Sequence, residues 1–195
     1  MIKTLLNPFE KFSEKQLLIF GILFLFIGSY IGFLLNAYFD SILHISFVQN
    51  TTYIFVLLQN LTITTLLSIV LFALGKYFNP KTRFIDLLNV SLVARIPFYF
   101  STLINFNNAT SKLTDRIINN LDTIQNIKFS TSEYLFLILT SVFGILCVFL
   151  FGYLLWKGFK TATNAKTTKE IILLILTLFF INFISFYIIN LIPIH

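Results

Sequence analysis

Arg95 is the residue whose position most demands a chemical account. It stands twelfth in the apolar stretch 84–105, so a helix there carries its guanidinium to the middle of a bilayer. An arginine at that depth costs about 2.5–3.5 kcal/mol on insertion scales, so the group must find acceptors. Ser91, Thr102 and Asn105 share its helical face by steps of three and four. Carboxylates give no help. Asp86 is two turns or more away, and Asp40 lies beyond the end of another apolar stretch. Thr64 and Ser68 in the second apolar stretch, and Asn182 in the last, are neutral groups at similar depth. Pro97 adds the carbonyl of Val93, freed by the missing N–H, and predicts a helix kink. Two chemistries fit this polar cluster. One is recognition of an anion or a lipid headgroup; the other is a hydrogen-bond hub inside a helix bundle.

Other reactive groups are sparse. No two carboxylates share an apolar stretch, so proton relay and carboxylate catalysis have no members. His44 and His195 are far apart in the chain, and Cys147 is the single cysteine, which excludes a disulfide framework and a cysteine-based zinc site. No G-x-S-x-G, H-E-x-x-H or P-loop sequence occurs. The chain reads as a non-enzyme with no metal and no cofactor. A different kind of site is suggested by Gly21, Gly28, Gly32 and Asn36, spaced by seven, four and four. They form one small, flat helix face containing a GxxxG. Such a face supports close helix packing, either within the bundle or in a homo-oligomer.

The elements that position these residues follow from composition. Of 195 residues, 57% are hydrophobic and 11% are charged, against roughly 25% charged in a soluble domain. That much apolar surface excludes a soluble enzyme and a disordered chain. Five stretches are long enough to span a bilayer as helices: about 17–38, 53–75, 84–105, 134–156 and 170–191. The expected fold is an all-α membrane bundle, a single integral domain over 1–195. The net charge of +6 does not point to nucleic acid, because the basic residues sit in short clusters between the apolar stretches.

Those clusters set an expected orientation. Lys3, Lys11, Lys15, Lys76, Lys81, Arg83, Lys157, Lys160, Lys166 and Lys169 fall on one side, and Lys112, Arg116 and Lys128 on the other. The positive-inside rule places the N-terminus in the cytoplasm and the C-terminus outside. The basic connection 157–169 suits contact with anionic lipids of the cytoplasmic leaflet. No cleavable signal peptide is expected, since the first apolar run is long enough to span and no A-x-A site follows it. Residues 1–16 read as an interfacial segment with a helix start at Asn7 and Pro8. Leu5, Leu6, Phe9 and Phe12 would face lipid there, with Lys11, Glu14 and Lys15 toward water. In the long connection 106–133, Leu113, Ile117, Leu121, Ile124 and Ile127 recur at helical spacing, which predicts an amphipathic interfacial helix.

The opening Asn7, Pro8, Phe9 and Phe12 resembles the N-P-F-x-x-F entry of bacterial Yip1-domain membrane proteins. Ala94, Arg95, Ile96 and Pro97 are similar to the A-x-x-P region of that family, and Gly152, Tyr153 and Trp156 with the Lys/Thr loop and Ile171, Ile172 resemble its last hairpin. The resemblance implies a polytopic protein without known catalytic residues. Eukaryotic relatives act in vesicle trafficking and engage small GTPases through a longer N-terminal region; only about 16 residues precede the first span here. The expectation is a non-catalytic scaffold or partner-binding component of a bacterial cytoplasmic membrane. The alternative is a transporter or channel subunit for an anionic or lipidic solute, with Arg95 as its contact. A water path to Arg95 distinguishes the second from the first.

Overall fold

The computed structural model of the chain describes residues 7–120 and 129–191. A 3₁₀ turn, Pro8–Glu10, precedes α1 (Glu14–Leu34). A small hairpin of β1 (Ala37–Tyr38) and β2 (Ser46–Phe47) leads to α2 (Tyr53–Phe78). The third span consists of α3 (Phe84–Ala94) and α4 (Ile96–Ser101), continued by a 3₁₀ segment, Thr102–Asn108, and by α5 (Ala109–Ile118). The last pair is α6 (Thr131–Thr163) and α7 (Thr168–Asn190). Among the described residues five helical segments are long and apolar enough to cross a membrane, and the fold is an all-α bundle.

Local chemistry sets the helix ends. α1 starts before residue 17 because Ser13 and Gln16 form a capping box that satisfies two free N–H groups. Glu14, Lys15 and Gln16 therefore form its first turn. It ends at Leu34, short of residue 38, because Asn36 takes a left-handed φ of 55°. The same device ends α6 at Asn164, with φ 58°. α6 thus runs well past Trp156, and the basic connection 157–169 is mostly helix. Capping boxes at Ser130/Glu133 and Thr167/Glu170 start α6 and α7. Of the amphipathic pattern in 106–133, α5 carries Leu113 and Ile117, both half-buried. Leu121, Ile124 and Ile127 lie outside the described residues, as do Leu5 and Leu6.

The third span is the axis of the bundle. In its most apolar 18-residue stretch 72% of residues are buried, against 11% for α6 and 17% for α7. α3 packs on α1, α2 and α6, α4 packs on α1 and α6, and α7 packs on α2. The glycine face of α1 makes its contacts with α3 and α4 possible. A Cβ at Gly21 would come within 2.6 Å of the Leu92 Cβ, and one at Gly28 would enter the Tyr99 ring. At Gly32 the obstacle is the Phe39 ring, 2.9 Å away. All three glycines are buried within this chain, so the GxxxG face serves the bundle's own packing. Phe9 does not face lipid either. It turns inward, and its ring would lie 2.9 Å from a Cβ at Gly158 of α6. Phe12 remains 45% exposed.

The connection between α1 and α2 enters the bundle instead of lying over it. Phe39 and Ile42 are fully buried. Asn182 of α7 holds this plug, its Oδ1 accepting from the Ser41 hydroxyl and the Leu43 N–H, both at 2.9 Å. The Ile42 N–H donates to the Ser185 hydroxyl at 3.2 Å.

Candidate functional site

Pro97 and Arg95 together break the third span. Proline has no N–H for the Val93 carbonyl, and α3 stops at Ala94 while α4 restarts at Ile96. Arg95 is the joint, with φ −75° and ψ −12°, and its carbonyl accepts from Phe98 N–H at 3.0 Å. The break lies at the bundle axis, so the Arg95 side chain leaves the joint into the interior and is fully buried.

Its partner is an amide. Arg95 Nη2 donates to Asn60 Oδ1 at 2.9 Å, Asn60 Nδ2 donates to the Ser29 hydroxyl at 3.0 Å, and that hydroxyl donates to the Leu25 carbonyl at 2.7 Å. A single polar chain thus crosses from the third span through α2 to α1, and each of its residues is fully buried. Two aromatic rings cover the guanidinium: the Phe39 centroid lies 5.9 Å and the Tyr99 centroid 5.8 Å from Arg95 Cζ. The rings meet edge to face at 6.2 Å. Such cation–π contacts reach about 2 kcal/mol when desolvated, so they offset part of the burial cost. Phe39 is held in place by its own N–H, which donates to Gln59 Oε1 at 3.2 Å.

The residues of the polar stripe take different roles. Ser68, Ser91 and Thr102 are buried but donate to carbonyls three or four residues back in the chain, those of Thr64, Leu87 and Tyr99. The Thr64 hydroxyl is buried one turn from Asn60 and has no protein partner. Nε and Nη1 of Arg95 are likewise unpartnered. Asn105 works at the far end of the span, donating to the Leu35 carbonyl at 2.9 Å and accepting from Ser111 N–H at 2.9 Å. Asn182 is the departure from the expected cluster, because the Phe39–Ile42 plug occupies the space that depth alone assigned to it. Asn60 is the residue depth alone did not select. The available signal was its spacing, since Asn60, Thr64 and Ser68 recur every four residues on one face of α2.

This arrangement can hold three helices in register; it offers no nucleophile paired with a base. Among the described residues no group of three or more His, Cys, Asp or Glu lies within reach of a common metal ion. Arg95 has no carboxylate partner among them either: Asp40 binds His44 and Ser46, and Asp86 binds Arg83. No curated protein and no solved structure matches the chain. The family model of the Yip1 domain matches residues 3–189, nearly the whole length, and covers all five spans, the Arg95 joint included. With that match over this five-helix bundle, the chain belongs to the Yip1 domain family of membrane proteins.

Proposed function

We propose that this protein is a non-catalytic scaffold of a bacterial cytoplasmic membrane, whose bundle presents lipid-facing helices to partner membrane proteins. The observation that carries this reading is the sealing of Arg95. Its guanidinium has no exposure, is bonded to Asn60, and lies under two aromatic rings. A solute contact needs access to the solute. A hydrogen-bond hub needs the reverse, since low dielectric strengthens its bonds. The most open faces are those of α6 and α7, where Leu139, Val142, Phe149, Phe180 and Phe183 are exposed. A homo-oligomer would also use these faces, because the α1 glycines are already covered.

The same reading places the N-terminus in the cytoplasm and the C-terminus outside, with the basic end of the bundle facing anionic headgroups. Its test is cysteine accessibility at the hub. Ser91→Cys and Thr64→Cys should resist membrane-impermeant thiol reagents from both sides. Labelling from either side would instead support a conduction path through Arg95. Co-purification from the native membrane, read by mass spectrometry, should then return a stoichiometric membrane protein partner.

A further inference from the structure

Two adjoining pockets in the bundle together have the character of an amphiphile. Both lie between α1, the broken third span and α6, and they share Phe12 and Leu17 as a common wall. At the basic end is a polar niche of about 270 Å³, with Glu14, Arg83, Asp86 and Asn89 in its walls and Gly158 and Thr161 opposite. Farther in, the same three walls form an apolar groove of about 860 Å³, lined by Phe20 and Phe24 of α1, Ile96 and Phe100 of α4, and Leu146 and Leu150 of α6. All three walls advance in phase: from Asn89 to Phe100 on the third span, from Glu14 to Phe24 on α1, and from Thr161 back to Leu146 on α6.

We infer that these two pockets together bind one diacyl phospholipid with a primary-amine headgroup, an acyl chain lying in the groove and the ammonium in the niche. Length supports a lipid over a helix. The groove extends from Val93 to Leu103 on the third span, about 15 Å at helical rise, or one leaflet of a ~30 Å hydrocarbon core. A partner helix would need the whole thickness. Charge selects the headgroup. Arg83 is shared between two carboxylates, its Nη2 donating to Glu14 at 2.7 Å and to Asp86 Oδ1 at 2.6 Å and its Nε to Asp86 Oδ2 at 3.0 Å. The niche wall therefore carries one negative charge in excess. Asn89 is 2% exposed and its Oδ1 has no partner, its Nδ2 being engaged with the Glu14 carbonyl at 3.1 Å. Two carboxylates and a free acceptor suit an ammonium; Arg83 suits the adjoining phosphate. A glycerol headgroup has no cation to offer them. This local preference is opposite to that of the basic connections around it, which attract anionic lipid without regard to shape.

The test uses the full chain in detergent, offered equal amounts of phosphatidylethanolamine and phosphatidylglycerol, with retained lipid counted by native mass spectrometry. One phosphatidylethanolamine should be retained, favoured about tenfold over phosphatidylglycerol, the worth of one charge-assisted bond. Asp86→Asn should erase that preference. Leu146→Trp, at a half-exposed position of the groove wall, should reduce retention of both lipids about tenfold, the value of a few excluded methylenes. Equal retention of the two lipids by the unaltered chain, or an undiminished preference in Asp86→Asn, overturns the headgroup assignment. Full retention in Leu146→Trp overturns the groove. A dimer that Leu146→Trp dissociates would show that a second copy, not a lipid, fills it.

Discussion

Arg95 and Asn60 meet at 2.9 Å across the centre of the bundle, a guanidinium donating to an amide where, among the described residues, no carboxylate is within bonding reach. The pairing keeps a charge in the interior without burying a second one. It also converts the break at Pro97 into a fixed joint, because the residue at the break is the one tied to α2 and, through Asn60, to α1.

That coupling predicts a non-additive mutant cycle. Asn60→Leu leaves the guanidinium without its acceptor and should cost about 3–5 kcal/mol, the usual loss when one side of a buried polar pair is removed. Arg95→Leu strands the Asn60 oxygen, at about 1–3 kcal/mol, while easing membrane insertion. The double variant should be more stable than Asn60→Leu alone. Unfolding in detergent measures all three; simple addition of the two single effects would show that the residues are neighbours without being coupled.

The glycine face predicts a change in stability without a change in assembly. Gly28→Leu drives a side chain into the Tyr99 ring, and overpacking of this kind costs about 1–3 kcal/mol. The melting temperature in detergent should fall while the oligomeric state stays as it was. A shift from dimer to monomer with no loss of thermal stability would place Gly28 at an interface between copies.

The spans were legible in the sequence because a bilayer imposes a length, and nothing else in a chain produces five apolar stretches of that length. Pro97 was legible for a similar reason, since its missing N–H acts locally. The partner of Arg95 was not. Depth along a helix narrows the candidates, but facing direction and intervening structure decide among them. Asn60 and Thr64 share a face one turn apart, and a long arginine side chain spans that difference. Asn182 was removed from the cluster by a plug whose entry into the bundle no periodicity announces. Phe39 and Ile42 make the connection 39–52 more apolar than a surface loop needs to be, and that was its one sequence trace.

The plug should loosen without the bundle. Asn182→Ala removes the oxygen that accepts from Ser41 and Leu43, leaving a backbone N–H unpaired at a cost of about 1–3 kcal/mol. The loss is local, because α7 keeps its apolar contact with α2. Hydrogen exchange should speed up over residues 39–44 and remain slow in α2 and α3. Uniform acceleration would mean that the loop is integral to the stability of the whole bundle.

Orientation gives the last prediction. Among the described residues, nine basic side chains lie at the end of the bundle that carries the start of α1, the α2–α3 turn and the α6–α7 turn, against two at the hairpin end. Lysine and arginine near span ends resist translocation, so the crowded end should stay in the cytoplasm. In a Cys147→Ser background, which removes the one native thiol, Ile45→Cys should react with an impermeant reagent added to intact cells. Lys160→Cys should react only after the membrane is opened. Ile45 is half-buried beside the plug, so slow labelling there is expected and complete protection is not. The reverse pattern would put the basic end outside, and the excess of lysine would then need a cause other than translocation.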